Sequence, residues 1–329
     1  MATLLSAACS PTKLLGTVAP VAPGGEVTDV AYGNGARENM DIYAPDANSL
    51  SAPVVVFFYG GGWTSGERAM YRFIGRGLAA CGVVAMIPDY RIWPETGFPG
   101  FLRDAAAAVA RARMVAPAHG GDPKRVFLMG HSAGAYIAAM LTLDPQWLAA
   151  AGVDSRTALA GMVGIAGPYD FLPLRDPVLK EIFGAAGPDT QPISFAKNAT
   201  APLLLLTGAA DRTVDPANSQ HLAARVRAAG RQAESIIYPG LGHATVLGAF
   251  AGPLRFLGPV RDDACRFFGA PHQTAEPGAA PNTSPAGPHL GPKGQVNRTT
   301  KLMAGELQTP NRKMPSTAWP AARNRESDG

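Results

Sequence analysis

The sequence contains little charge, few cysteines and no long hydrophobic run, and each scarcity excludes a class of protein. Only 16% of its 329 residues are charged whereas 47% are hydrophobic, which is the composition of a folded globular protein. Because no run of 18 or more apolar residues occurs, we predict no transmembrane helix. The three cysteines, Cys9, Cys81 and Cys265, lack the spacing of a metal site, and we expect neither a bound metal nor a disulfide framework.

An excess of positive charge is also lacking before residue 271. The formal net charge is +4, and residues 271–329 supply most of it, with seven Lys or Arg against four acidic residues. The rest of the chain is near neutral and has no basic face with interleaved aromatic residues. We therefore expect no nucleic-acid partner.

The two ends of the chain differ in composition from its middle. Residues 1–25 are rich in Ala, Pro and Gly without periodicity, so we interpret them as a leader or disordered arm. Within it, Leu4-Leu5-Ser6-Ala7-Ala8-Cys9-Ser10 resembles the end of a bacterial lipoprotein signal, which would make the protein exported and lipid-anchored at Cys9. The alternative is a frayed N-terminus on a cytoplasmic protein. Residues 270–329 contain nine prolines and few apolar clusters, which predicts a disordered C-terminal extension.

Residues 26–269 alternate apolar strand-like runs with helical segments and are predicted to form one α/β domain. The predicted strands are residues 27–32, 40–44, 54–59, 83–88, 126–130, 159–166, 203–207 and 235–238. Four of these runs are continuously apolar, as expected for strands buried on both faces of a parallel sheet. Helical segments between them, such as 101–115 and 133–143, indicate βαβ units, whereas the first two strands are predicted to form an antiparallel edge. We therefore predict a mostly parallel eight-stranded sheet with helices on both faces.

The segment Gly130-His131-Ser132-Ala133-Gly134 fits the pattern G-x-S-x-G between a buried strand and a helix of small residues. Such a sharp turn lifts the serine hydroxyl above the edge of the sheet, and the glycines let strand and helix approach closely. We predict Ser132 as a nucleophile. The alternative interpretation is an ordinary glycine-rich turn.

A serine nucleophile needs a base and an acid that orients it, and both candidates follow later strands. His243 lies in a glycine-rich loop just after the last predicted strand, at the carboxyl end of the sheet. Asp211 follows the strand 203–207 and precedes His243, so the chain order is Ser, Asp, His. Asp215 is the rival acid, but with the following proline it has the pattern of a helix cap.

Three consecutive glycines follow the third predicted strand in Tyr59-Gly60-Gly61-Gly62-Trp63. Acyl transfer needs backbone N–H donors aimed at the developing oxyanion, and glycines let the backbone reach it unobstructed. We predict Gly61, Gly62 and Ala133, the residue after the nucleophile, as these donors.

At these motifs the chain resembles the α/β-hydrolase superfamily, and it is most similar to the carboxylesterase branch with kynurenine-formamidase-like and hormone-sensitive-lipase-like esterases. The resemblance covers about residues 26–269. The loop from Tyr59 to Trp63 looks like the His-Gly-Gly-x-Trp oxyanion loop of these families. Tyr59 stands where they usually carry His, and this residue is expected to brace the loop rather than react. The resemblance also implies that Trp63 and Tyr169, in Gly167-Pro168-Tyr169-Asp170, belong to the surroundings of the substrate pocket.

The resemblance and the motifs together predict a serine carboxylesterase of the α/β-hydrolase fold that needs no metal or organic cofactor. An insertion at residues 170–197 is too short for a lid domain, so we expect an accessible site, with small-molecule esters of short-to-medium acyl chains as substrates. The alternatives are an arylformamidase with the same triad and, from a different class, a non-catalytic binding protein on this scaffold.

Overall fold

The computed structural model describes residues 27–45 and 51–269, which include every candidate catalytic residue. The predicted leader (residues 1–25), the predicted lipid anchor at Cys9 and the predicted extension (residues 270–329) lie outside the described residues. None of the helices within these two described ranges combines the length and the hydropathy that a membrane crossing requires.

An eight-stranded sheet occupies the centre of the described residues, and all eight predicted strands are present. The strands are β1 (Thr28–Ala31), β2 (Asn39–Tyr43), β3 (Ala52–Phe58), β4 (Val84–Pro88), β5 (Gly121–His131), β6 (Leu159–Ile165), β7 (Leu203–Gly208) and β8 (Ala233–Tyr238). Their order across the sheet is β1-β2-β4-β3-β5-β6-β7-β8. β1 pairs antiparallel with β2, and β2 antiparallel with β4, whereas all other neighbours are parallel. The predicted fold class, including the antiparallel edge, is confirmed.

Three of the inner strands are buried along their whole length because helices cover both faces of the sheet. Every residue of β3, β4 and β7 is buried, which matches the continuous apolar runs of the sequence. The outermost strands differ. β1 alternates between half-buried and exposed residues, and β8 is mostly half-buried, as is typical of edge strands.

The helices form two layers. The described α-helices are α1 (Arg72–Ala79), α2 (Gly100–Val115), α3 (Ala133–Leu143), α4 (Pro145–Ala150), α5 (Ser155–Ala158), α6 (Pro177–Phe183), α7 (Ala217–Ala228), α8 (Thr245–Gly248) and α9 (Val260–Phe267). Helix α1 contacts α9 in one layer, and α2 contacts α3 in the other. Short 3₁₀ helices span Arg68–Tyr71, Ala116–His119, Pro188–Thr190, Pro192–Asn198 and Gly252–Leu257.

Helix α1 was not expected from the sequence, because two glycines inside it weaken the helical pattern. Both glycines are required by packing. A side chain at Gly75 would collide with the ring of Tyr43 on β2, and one at Gly77 would lie 2.9 Å from the carbonyl oxygen of Phe250. The glycines therefore let α1 pack closely against the sheet and its own layer.

The expectation that the cysteines form no disulfide is wrong. Cys81, just after α1, and Cys265, on α9, are joined by a disulfide that links two segments 184 residues apart in sequence. The two helices lie in the same layer, which brings the sulfur atoms together. A pairing over this separation leaves no local spacing pattern in the sequence, so only the tertiary arrangement reveals it.

Candidate active site

The predicted site residues all follow the carboxyl ends of parallel strands. The glycine loop comes after β3, Ser132 after β5, Asp211 after β7 and His243 after β8. Since these strands are parallel, their carboxyl ends meet at one edge of the sheet, where open α/β sheets place their sites. The fold thus brings together segments that are separated by more than a hundred residues in sequence.

Ser132 stands in a strained turn between β5 and α3. Its backbone has φ +54° and ψ −123°, a region that residues other than glycine rarely adopt, and its N–H donates to the carbonyl of Ile165 at 2.9 Å. A Cβ at Gly130 would collide with the backbone of Gly134, and one at Gly134 would collide with the carbonyl of Phe58. Both motif glycines are therefore needed for the strand, the turn and the helix to pack together.

The imidazole of His243 is hydrogen-bonded to the carboxylate of Asp211. The distance from His243 Nδ1 to Asp211 Oδ2 is 2.8 Å, and the Asp211 side chain is completely buried. The other carboxylate oxygen accepts the N–H groups of Thr213 at 2.8 Å and Val214 at 3.0 Å. These bonds fix the carboxylate, which favours the proton on Nδ1 of His243 and leaves Nε2 as a base.

The rival acid, Asp215, has a different environment. It is exposed and its carboxylate accepts the backbone N–H of Ala217 at 2.9 Å, at the start of α7. This is the helix-capping contact expected from the sequence. Of the two carboxylates, Asp211 is the one that contacts His243 in the described part of the chain.

The loop after β7, which carries Asp211, and the loop after β8, which carries His243, are hydrogen-bonded to each other. The N–H of Ala210 donates to the carbonyl of Leu241 at 2.8 Å, and the N–H of Ala209 donates to the carbonyl of Tyr238 at 2.9 Å. A side chain at Gly208 would collide with the carbonyl of Leu241. The two loops therefore form one unit that carries the Asp211–His243 pair.

In the glycine loop, the peptide between Gly61 and Gly62 turns its carbonyl toward the following residues of the loop and its N–H away from them. The carbonyl oxygen of Gly61 accepts the N–H groups of Thr64 and Ser65, both at 3.1 Å, together with their two hydroxyls. Since carbonyl and N–H of one peptide point in opposite directions, the N–H of Gly62 faces the other side. Within residues 27–45 and 51–269, the N–H groups of Gly61, Gly62 and Ala133 donate to no protein acceptor.

This loop also approaches Ser132 closely. A Cβ at Gly60 would lie 2.9 Å from the Cβ of Ser132 and 3.0 Å from Nδ1 of His131. The first glycine of the run is therefore needed for close approach, a requirement that the sequence pattern did not assign to it. The loop and the strained turn of Ser132 lie against each other.

Tyr59 is fully buried beneath the glycine loop, and its hydroxyl is engaged on both sides. It donates to Oδ1 of Asp89 at 2.8 Å and accepts from Nη2 of Arg37 at 2.9 Å. Its ring stacks between Tyr71, at 5.3 Å, and Tyr90, at 4.7 Å. Burial raises the pKa of the Tyr59 hydroxyl, so it stays protonated. These contacts fix the Tyr59 side chain, and its role as a brace for the loop stays a prediction.

Trp63 ends the glycine loop inside a cluster of six aromatic side chains. The aromatic cluster consists of Trp63, Phe98, Phe101, Tyr136, Phe171 and Phe183. The ring of Trp63 meets Phe183 edge-on at 5.0 Å and Tyr136 edge-on at 5.3 Å. Tyr136 lies one helical turn after Ser132, so the cluster joins the glycine loop to helix α3.

The cap segment, residues 170–197, supplies Phe171 and Phe183 to this cluster and is bonded to the body at several points. The hydroxyl of Tyr136 donates to the carbonyl of Thr190 at 2.8 Å, and the N–H of Phe98 donates to the carbonyl of Ile182 at 2.7 Å. The segment contains α6 and two short 3₁₀ helices. It is a small fixed cover rather than a separate domain.

Tyr169, which the sequence associated with the pocket, is completely buried. Its ring lies so close to Gly164 and Gly167 that a side chain at either position would collide with it. Its backbone N–H donates to Oδ1 of Asn218 at 2.9 Å. These contacts hold the loop after β6, and a pocket-lining role for Tyr169 stays a prediction.

His131 has contacts that the sequence did not predict. Its Nε2 lies 2.9 Å from the carbonyl oxygen of His243, and the centres of the two rings are 4.7 Å apart. Burial, with the neighbouring His243 as a lesser cause, lowers the pKa of His131 to about 3. Its position inside the motif was the one available signal, because the contact depends on a loop 112 residues away.

Within the described residues, no group of three or more His, Cys, Asp or Glu side chains is arranged to hold a metal ion. The polar groups at the strand ends are a hydroxyl in a strained turn, a histidine–carboxylate pair and backbone N–H donors. This combination of groups is suited to nucleophilic acyl transfer.

The chain is similar to several known proteins. Residues 40–226, over half of the 329 residues, match the BD-FAE family. The chain is 30% identical to the probable isoprenylcysteine alpha-carbonyl methylesterase of Oryza sativa subsp. japonica, covering 69% of this chain and 59% of the relative. It is 29% identical to the kynurenine formamidase of Salmo salar, covering 46% of this chain and 49% of the relative. The chain thus spans less than two thirds of either curated relative.

The fold is also similar to that of a solved esterase structure. The propionate-bound esterase Est2 of Thermogutta terrifontis is similar to the chain with a TM-score of 0.61 and 25% identity. The match covers 74% of this chain and 93% of that structure. The similarity therefore extends over nearly all of the solved esterase.

Proposed function

The chain belongs to the BD-FAE family within the esterase branch of the α/β-hydrolases, and from this membership and the site geometry we propose that it is a serine carboxylesterase. The observation that carries the proposal is the hydrogen bond of His243 to the buried carboxylate of Asp211, at the sheet edge where Ser132 occupies a strained turn. The similarity to a methylesterase and to a solved esterase supports the same reaction type.

In the proposed reaction, His243 takes the proton of the Ser132 hydroxyl through Nε2, while Asp211 keeps the other ring proton on Nδ1. The serine oxygen attacks the ester carbonyl. The N–H groups of Gly61, Gly62 and Ala133 donate hydrogen bonds to the developing oxyanion and stabilise it. His243 then returns the proton to the leaving alcohol. Water attacks the acyl-enzyme by the same steps and releases the acid.

We further propose that the acyl chain is short, because the aromatic cluster fills the space beside the oxyanion donors. Trp63 directly follows Gly62, and it is only 4% exposed. Phe183 of the cap segment packs edge-on against Trp63, and the residue is 5% exposed. The similar solved esterase holds propionate, the acid of a short acyl chain.

The test is a series of p-nitrophenyl esters from acetate to laurate. We expect kcat/KM to be highest between acetate and butyrate and to fall by about tenfold or more at octanoate, since extra methylenes meet a filled pocket. Phe183→Ala opens space beside Trp63, so it should reduce that fall, and Ser132→Ala should remove turnover on every ester. A wild-type chain that hydrolyses none of the esters would refute the esterase proposal.

A formamide substrate is the second candidate, and the similarity to kynurenine formamidase favours it. The same groups would attack a formyl carbonyl and expel an amine in place of an alcohol. The comparison is kcat/KM on N-formylkynurenine against kcat/KM on the best ester. A clearly higher value on the formamide would replace the carboxylesterase assignment while keeping the nucleophile.

A further inference from the structure

His131 is a buried titratable residue for which the proposed reaction has no role. It precedes the nucleophile, yet its contact is with the histidine loop, through Nε2 and the carbonyl oxygen of His243 at 2.9 Å. A carbonyl can only accept, so the proton of the neutral His131 ring lies on Nε2. Its Nδ1 is then an unprotonated acceptor, and it is buried without a partner within the described residues.

The loop that His131 contacts is bonded on both sides of His243: the N–H of Gly242 donates to Oγ1 of Thr245 at 2.7 Å, and the N–H of Val246 donates to the carbonyl of Gly242 at 3.0 Å. These bonds do not engage the carbonyl of His243 itself. The side chain of His243 is held by Asp211 through Nδ1. Within residues 27–45 and 51–269, the donor to its backbone carbonyl is His131.

Two contacts at different points therefore orient the imidazole of His243. The Asp211 carboxylate fixes the ring at Nδ1, and the bond from His131 fixes the peptide that carries the ring. A catalytic base must be held to within a fraction of an ångström, and a small misplacement costs turnover more than binding. His131 is also neutral by burial, so it adds no positive charge beside the imidazolium that His243 becomes during reaction.

We propose that His131 is a positioning residue for His243, acting through the bond from its Nε2–H to the His243 carbonyl. The inference rests on the proposed function, because His243 must be the base for its position to matter. It assigns a reason for histidine at the variable position of G-x-S-x-G in this chain: an N–H donor that reaches across to the loop after β8.

A matched pair of variants separates the hydrogen bond from the packing. Gln in His131→Gln can place an amide N–H near the position of Nε2, whereas Met in His131→Met has similar length and volume without a donor. We expect His131→Met to lower kcat on p-nitrophenyl acetate by about tenfold, the effect of one net hydrogen bond, with KM changed less than about twofold. His131→Gln should recover kcat to within about threefold of the wild type.

Equal losses of kcat in the Gln and Met variants would overturn the proposal, as would a loss confined to KM. Thermal unfolding of both variants shows whether a loss reflects stability, which a structural role alone would affect. Nitrogen NMR of His131 in the wild-type chain needs no turnover. A neutral ring protonated on Nε2 supports the positioning contact even if esterase activity proves absent, and a ring protonated on Nδ1 overturns it.

Discussion

The two halves of the candidate site are held by different means. On one side, the loops after β7 and β8 bond directly to each other, and backbone N–H groups of Thr213 and Val214 fix the Asp211 carboxylate itself. On the other side, Tyr59 directly precedes the glycines, and its hydroxyl is bonded to Asp89 and Arg37. In the proposed reaction, the first half orients the imidazole of His243 and selects its tautomer, and the second positions the backbone N–H donors. Substitutions in the first half should therefore cost more.

The acid tests this comparison with the largest expected effect. Asp211→Asn keeps the shape but favours the wrong tautomer of His243, and turnover should fall by as much as ~10⁴-fold. Asp215→Asn is the matched control, because this carboxylate lies four residues away and contacts α7 instead. Its turnover should stay within about twofold of the wild type. If kcat falls more in Asp215→Asn than in Asp211→Asn, the acid assignment is wrong.

The disulfide offers a substitution that should change stability without touching either half. Cys265→Ser removes a link between segments 184 residues apart, so the free energy of unfolding should fall by roughly 2–4 kcal/mol. Turnover of the folded enzyme should be unchanged, because Cys81 precedes β4 at the opposite end of the strand from the site. Denaturant unfolding and kcat, measured on the same samples, provide the check.

Two results would contradict this expectation. Alkylation of both Cys81 and Cys265 in the unreduced, denatured wild-type protein would show that the bond is absent. A drop in kcat in Cys265→Ser as large as that in Tyr59→Phe would show that the layer of α1 and α9 is coupled to the site.

Substitution of Tyr59 should lower turnover much less than Asp211→Asn, and it sharpens the account of the glycine loop. Tyr59→Phe keeps the stacked ring but loses the bonds to Asp89 and Arg37, so kcat should fall between a few-fold and about tenfold. A hydroxyl that itself donated to the oxyanion would cost ~10²–10³ in kcat when removed. Turnover of the Phe variant on one activated ester therefore distinguishes the two, and a loss beyond a hundredfold would contradict the bracing role.

Most of the fold was predictable from the sequence because local signals and tertiary structure agree in the central strands. The continuous apolar runs at 54–58 and 203–206 predict strands buried on both faces, and the structure has β3 and β7 there. Ser132, Asp211 and His243 were predicted as site residues because each follows a predicted strand, and the ends of parallel strands share one edge.

The features that escaped prediction depend on contacts between distant segments. The side-chain partner of Tyr59, Arg37, lies in the turn between β1 and β2 and has no motif of its own. The contact from His131 to the His243 carbonyl requires the loop after β8 to be in place. Helix α1 was missed for a related reason. Its two glycines lower the helix propensity of the segment, and they are required only because they pack against distant parts of the chain.

The central claim is that Ser132 is a nucleophile activated by His243, and covalent labelling tests it most directly. The wild-type chain is incubated with an organophosphate such as paraoxon, and the modified residue is located by peptide mass spectrometry. We predict one phosphoryl adduct per chain, on Ser132, with loss of ester turnover in proportion to labelling, and slow labelling in His243→Ala. An adduct on another residue, or full turnover retained by a chain labelled at Ser132, would contradict the account.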